Sequence, residues 1–310
     1  MAYLAAVIWS LLSFFTPSSG ALTNAVVPPP SGTYHVTHTT NVPYGPLSAE
    51  TLNVCSPVGV KGPVPAFIII HGGGWQQGDK SDTLETSVCT TIASKGYVAF
   101  NIDYRLVQNP ANGNVPSASE SDIWPDQIID AQLAVRWVRA HAAQYNVDPN
   151  TICAWGQSAG AQLAVYLGVL AQNYGTTTLY PNYSPQVQCV EDNSGPVELT
   201  YVITGPQNGD NYSGEKDLVN STKYAALKAA SPIFDVNSNS APMYITEGRQ
   251  DTTVEPQNAT DLQNALNAAN VQNTLIWYNG GHVFQGLPLS QESTIIQEGI
   301  DWDIEHAKTL

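Results

Sequence analysis

Short apolar and β-branched runs alternate along this chain with stretches of helical spacing, and no other feature restricts its fold so tightly. The runs are Ala66–Ile70, Tyr97–Ile102, Thr151–Trp155, Val187–Val190, Met243–Thr246 and Thr274–Tyr278. Several are continuously apolar, as strands covered on both faces are. Between the second and third, Ile129, Leu133, Trp137 and Ala140 fall at helical spacing in a predicted helix from Asp126 to about Gln144, with its exit marked by Asp148-Pro149. A second helix is expected from Asn258 to Asn270, with Leu262, Leu266 and Ala269 on its inner face, and a helix-like run covers Ala161–Leu170. Such alternation implies right-handed crossovers and a largely parallel sheet. The expected class is α/β, a mostly parallel central sheet with helices on both faces and no internal repeat.

Composition agrees with a single core. Of 310 residues, 43% are apolar and only 12% are charged, which excludes intrinsic disorder. The formal charge of −15 makes nucleic acid or a polyanionic polymer a poor partner and leaves neutral small molecules, sugars and esters open.

Two stretches depart from the alternation. Residues 22–50, rich in Pro, Thr and Val, are expected to form a leader and early antiparallel strands. Residues 196–240 are polar and weakly periodic; lying between strands, they are expected to form a small lid-like insertion above the sheet. The apolar run Leu4–Phe15 is short for a bilayer core of ~30 Å, and Ser19 and Ala21 stand at signal-peptidase spacing, with Ala25 a second candidate. Residues 1–21 are therefore expected to be a signal peptide, although no Lys or Arg precedes the run; a membrane anchor is the competing reading. Residues 22–310 would then be one secreted domain without stable membrane association. Cys55, Cys89, Cys153 and Cys189 fit an oxidising compartment, and the preferred pairing is Cys55–Cys89 with Cys153–Cys189. Sequons begin at Asn182, Asn211, Asn220 and Asn258, about as many as chance supplies, and so decide nothing.

The chemistry concentrates in three places. Gly156-Gln157-Ser158-Ala159-Gly160 follows one predicted strand and precedes the helix-like run Ala161–Leu170. A nucleophile elbow needs this context, a serine on a strained turn with glycines that let strand and helix approach. His71-Gly72-Gly73-Gly74-Trp75 follows another strand. Its glycines leave amides free for a developing oxyanion; Gly73, Gly74 and Ala159 are the expected donors, and Trp75 a candidate substrate contact or loop-packing residue. A phosphate-cradling loop is the rival, but Gly-Lys-Ser/Thr is absent, since Asp79 separates Gly78 from Lys80-Ser81, and so is GxGxxG. His71 is expected to fix this loop rather than move protons.

The third place is the pair Asp251 and His282, each on a loop at the carboxyl end of a strand, the edge where Ser158 emerges. A serine hydroxyl needs a base to take its proton, and the base needs a carboxylate to fix its tautomer. Glu191 and Asp192, read as following the next strand, are alternative acids. His35, His38, His141 and His306 read as surface or core residues. No metal is expected, because no His-x-x-x-His pair or CxxC spacing is present, and no cofactor is called for.

In order, HGGGW (His71–Trp75), DYRL (Asp103–Leu106), GQSAG (Gly156–Gly160), SP (Ser231-Pro232), EGRQDTTV (Glu247–Val254) and GGHVF (Gly280–Phe284) resemble the esterase/lipase branch of the α/β-hydrolase superfamily. They are similar to its feruloyl- and acetylxylan-esterase-like group. The resemblance implies an α/β-hydrolase fold, a triad of Ser158, Asp251 and His282, and a supporting role for Asp103, Tyr104 and Arg105. It also implies hydrolysis of a small-molecule or carbohydrate ester. The insertion is too short for the large helical caps of some relatives, and Gln157 stands where acidic residues or His are common, which bears on substrate preference. The same triad serves amidases, peptidases and lactone or thioester hydrolases; a silent hydrolase-fold binding module is the other class, one that typically loses Ser or His.

Overall fold

The computed structural model describes residues 33–107, 123–170, 173–174, 179–204 and 213–307; the expected signal peptide and the sequon at Asn211 lie outside them. Among the described residues, eight strands form one sheet: β1 (Val36–Pro43), β2 (Thr51–Pro57), β3 (Val64–Ile70), β4 (Val98–Ile102), β5 (Val147–Gln157), β6 (Cys189–Asn193), β7 (Met243–Gly248) and β8 (Asn273–Tyr278). Their order is β1-β2-β4-β3-β5-β6-β7-β8. Strands β3 to β8 run parallel, while β1 and β2 form an antiparallel edge, of which β1 falls within the expected residues 22–50 and β2 follows them.

The continuous apolar runs are strands buried on both faces. In β3, Ile68 and Ile70 join one core, with α2 (Asp126–Ala140), α4 (Ala159–Val169) and α8 (Gln257–Ala268). Phe67 and Ile69 join the other, with α1 (Thr83–Ser94) and α9 (Leu289–His306). Helix α4 is buried along its whole length, so it carries no amphipathic signature. This is the α/β-hydrolase fold, with helices on both faces.

Several boundaries differ from the sequence reading. The helix expected from Asp126 to Gln144 breaks at His141, whose Nδ1 bonds the Trp137 carbonyl at 2.8 Å; α3 (Ala142–Tyr145) follows and ends at left-handed Asn146. The strand expected at Val187–Val190 runs instead from Cys189 to Asn193. Glu191, Asp192 and Asn193 look like loop residues in sequence, yet all three are buried strand residues. Glu191 accepts from Trp155 Nε1 (2.9 Å), Asp192 from the Gly195 amide (2.9 Å), and Asn193 donates to the Gly156 carbonyl (3.0 Å). Within 196–240 the structure has α5 (Tyr201–Thr204), α6 (Ser213–Val219) and α7 (Tyr224–Ala229), with Leu218 and Leu227 buried.

Disulfides join Cys55 to Cys89 and Cys153 to Cys189, the expected pairing. The first ties β2 to α1; the second links register partners on β5 and β6 with Cα atoms 4.6 Å apart, within the span a bridge tolerates. Each closes a loop of a size for which a bridge is worth roughly 2–4 kcal/mol.

Buried acids make stability fall as pH rises. Burial pushes Asp192 up to about 7 and Glu191 up to about 8, and raises Asp303 of α9, which also feels Glu191. Above pH ~4.5 the unfolded chain releases protons that the fold retains, so each group costs up to about 1.4 kcal/mol per pH unit until its folded value is passed. The melting temperature is therefore expected to be higher at pH 5 than at pH 8, and Glu191→Gln should flatten that slope. A Tm unchanged or rising over this interval in calorimetry would contradict the assignment.

Candidate active site

Strand β5 delivers Ser158 into the turn before α4. The serine backbone stands at φ 53°, ψ −123°, a strained conformation that aims its side chain away from the sheet. Two glycines make the turn possible. A Cβ on Gly156 would meet the Gly160 carbonyl oxygen at 2.3 Å, and one on Gly160 would meet the Ile70 carbonyl oxygen at 2.1 Å. Asn193 of β6 braces the turn from the next strand. Its carbonyl accepts the Ser158 amide at 2.9 Å, its side chain donates to Gly156, and its Oδ1 accepts from Thr246 Oγ1 at 2.8 Å.

Three side chains remote in sequence meet here. Ser158 Oγ lies 2.8 Å from His282 Nε2, and His282 Nδ1 lies 2.7 Å from Asp251 Oδ2. Asp251 Oδ1 accepts the amides of Thr253 (2.7 Å) and Val254 (3.0 Å), and its side chain is fully buried. These bonds hold the carboxylate so that its second oxygen faces the imidazole. Such a chain can carry a proton from the hydroxyl to the ring while the acid stabilises the cation.

The loop after β3 faces the serine. Gly73 (φ 106°) and Gly74 (φ 59°) hold left-handed conformations, and a Cβ on Gly73 would collide with the Gln77 carbonyl oxygen at 2.1 Å. The Gly73 carbonyl takes the amides of Gln76 and Gln77, while the amides of Gly73, Gly74 and Ala159 have no intramolecular acceptor among the described residues. All three residues line a cavity of about 580 Å³ that also contains Ser158 and His282. Its walls include Val107, Pro196, Val254, Val283 and Gly214 of α6.

The other residues singled out in sequence are placed as follows. Trp75 lines the cavity but is 2% exposed, and its indole N–H donates to Gln162 Oε1 at 3.2 Å, so its polar atom is already engaged. His71 is buried, stacks on Tyr104 and bonds the Gly72 carbonyl through Nδ1 at 2.7 Å; burial lowers its pKa, which keeps it neutral. Arg105 does not pair with Asp103: it forks onto Asp130 (Nη2 2.7 Å) and reaches Asp126, whereas Asp103 takes Lys80 at 2.6 Å. Gln157 donates to Glu85 Oε1 of α1 at 3.0 Å and lines the cavity. Glu191 and Asp192 are inside β6 rather than beyond it, each committed to the bond described above.

Sequence reasoning missed Asn193, which braces the turn of the nucleophile. Its strand reads CVEDN, and a buried polar residue there is explained by partners on β5 and β7 that the sequence does not reveal. Among the described residues no group of His, Cys, Asp and Glu is arranged to hold a metal, and no helix is long and apolar enough to cross a membrane.

Residues 52–266 match the family model BD-FAE. The chain belongs to the BD-FAE family. Its curated relatives include the probable carboxylic ester hydrolase LipM and esterase LipQ of Mycobacterium tuberculosis, 25% and 27% identical over 68% and 81% of this chain. The matches span only 47% of LipM and 58% of LipQ. The versiconal hemiacetal acetate esterase of Dothistroma septosporum is 28% identical, over 81% of this chain and 76% of its own. Among solved structures, a truncated carbohydrate esterase from gut microbiota superposes with a TM-score of 0.73 at 25% identity, covering 90% of this chain and 99% of that one. A thermophilic esterase of Thermogutta terrifontis gives 0.68 at 26% identity, covering 89% and 92%. The BD-FAE match and these structures place the chain in the esterase/lipase branch of the α/β hydrolases.

Proposed function

We propose that this BD-FAE chain is a secreted serine carboxylesterase acting on small esters through an acyl-enzyme. The observation that carries the reading is the continuous path from Ser158 through His282 to Asp251, at 2.8 and 2.7 Å, beside amides that meet no acceptor among the described residues. The names of its relatives, carboxylic ester hydrolase and esterase, support the same reaction class.

Ser158 Oγ attacks the ester carbonyl carbon while its proton passes to His282 Nε2. Asp251 holds the Nδ1–H and stabilises the imidazolium. The carbonyl oxygen becomes an oxyanion facing the amides of Gly73, Gly74 and Ala159, each such donor being worth ~2.7–4 kcal/mol in the transition state. As the C–O bond breaks, the alcohol leaves with the proton from Nε2. Water, deprotonated by the same nitrogen, then attacks the acyl-enzyme and restores Ser158.

The cavity of about 580 Å³, with valines and glycines beside polar Gln77, Gln157 and Glu215, suits short acyl, acetyl-sugar or aromatic acyl esters. Residues 196–240 act as a small lid, since Pro196 and Gly214 already line the cavity. Two disulfides fit export after removal of residues 1–21. One experiment tests the proposal: express the full chain in a secreting host, read the N-terminus of the protein in the medium, and assay matched esters and amides. The expected result is a start at Leu22 or Val26 and hydrolysis of acetyl or aromatic esters far above the amides. An intact Met1 would contradict cleavage, and an amide preference would overturn the esterase assignment.

A further inference from the structure

Glu247 is the penultimate residue of β7, four residues before Asp251, and is fully buried. Its Oε1 accepts the Gly248 amide at 2.8 Å and Ser194 Oγ at 3.3 Å. Its Oε2 is buried and receives no hydrogen bond. The Asp251 amide donates to the Gly248 carbonyl at 3.1 Å, which turns the loop of the acid back over the end of β7, and the Asp251 carboxyl group acts on that of Glu247. The other groups facing it are Asp192 of β6, Ser194 and the Tyr278 hydroxyl of β8. Tyr278 in turn receives the Phe284 amide at 2.9 Å and approaches the Gly281 carbonyl at 3.2 Å, clasping the loop that bears His282. Glu247 therefore joins the loop of the acid to the loop of the base.

Two carboxylates cannot share a water-free space without a proton between them. Asp251 is the one with three donors, His282 and the amides of Thr253 and Val254, so it holds the charge. The proton then belongs on Glu247.

We propose that Glu247 is a positioning residue of the triad: neutral, it donates from Oε2 to the Asp251 carboxylate and, through Ser194 and Tyr278, fixes Asp251 relative to His282. Burial first, and the charge of Asp251 second, push its acid group up to about 9, so it remains protonated at neutral pH. Above that value the donor is lost and a second negative charge faces Asp251, which spoils the alignment of the imidazole. The inference rests on the serine-esterase reading.

The test follows base consumption on an alkyl ester from pH 6 to 10.5 in the wild type, Glu247→Gln and Glu247→Leu, with Ser158→Ala as control. Wild-type kcat should fall about tenfold between pH 8 and 10. Glu247→Leu, which has no donor, should lose roughly 30-fold in kcat at pH 7 with little change in KM, the mark of an interaction made in the transition state. Glu247→Gln presents an uncharged amide donor, so it should recover most of that loss and no longer show the alkaline fall. Wild type and Glu247→Gln sharing one alkaline limb would overturn the proposal, and that comparison decides even if Glu247→Leu does not fold. Activity surviving in Ser158→Ala would instead strike the serine reading beneath it.

Discussion

Replacing Ser158 with alanine is expected to lower kcat on a short-chain ester by a thousandfold or more while leaving the melting temperature nearly unchanged. The two halves of that expectation have separate causes. Without Oγ there is no acyl-enzyme, and the remaining rate comes only from the amides of Gly73, Gly74 and Ala159 acting on a bound ester. The fold loses little, because what holds the turn is backbone: the Ser158 amide on the Asn193 carbonyl and the close approaches at Gly156 and Gly160. His282→Ala should match Ser158→Ala in rate, and the double variant should cost little more than either, since groups acting as a unit are not additive. A Ser158→Ala protein with near-normal turnover would remove the nucleophile from the account.

The second large effect is expected at Asp251. Asp251→Asn keeps nearly the same volume but offers an amide where Oδ2 meets His282 Nδ1 at 2.7 Å. An Asn that donates there holds the ring in the tautomer with its proton on Nε2, which cannot take the Ser158 proton; the cost is on the order of 10⁴ in kcat. Asp192→Asn should act differently. Asp192 lies inside β6 and accepts the Gly195 amide, so its replacement should shift stability and leave kcat within a few-fold. Steady-state kinetics with parallel melts on both variants separates the two. The reverse ranking would move the acid to β6.

The parallel part of the sheet and helices α2, α4 and α8 were legible because their pattern follows from geometry. Strands β3, β4 and β7 and residues 152–156 of β5 are mostly apolar and buried on both faces, and α8 carries Leu262 and Leu266 one turn apart on a single buried side. Ser158, Asp251 and His282 could be picked out because each follows a recognisable strand, and strands in one parallel sheet deliver their following loops to one edge. Helices α1 and α9 were not anticipated. Their buried sets include Glu85, Thr91, Ser94 and Asp303, polar residues that hide a core-facing stripe. The same obstacle concealed the end of β6 and the role of Glu247. A buried polar residue is explained by its partners, and partners distant in sequence are invisible until the chain is folded.

The central claim, that His282 and Asp251 activate Ser158 for covalent catalysis, is tested most directly with an alkyl fluorophosphonate that leaves a stable phosphonyl group on an activated serine. Intact-mass analysis should show one adduct per chain, and peptide mapping should place it on Ser158. Labelling should vanish in Ser158→Ala and be strongly slowed in His282→Ala. An adduct on another residue, or labelling of Ser158→Ala at the wild-type rate, would contradict the account.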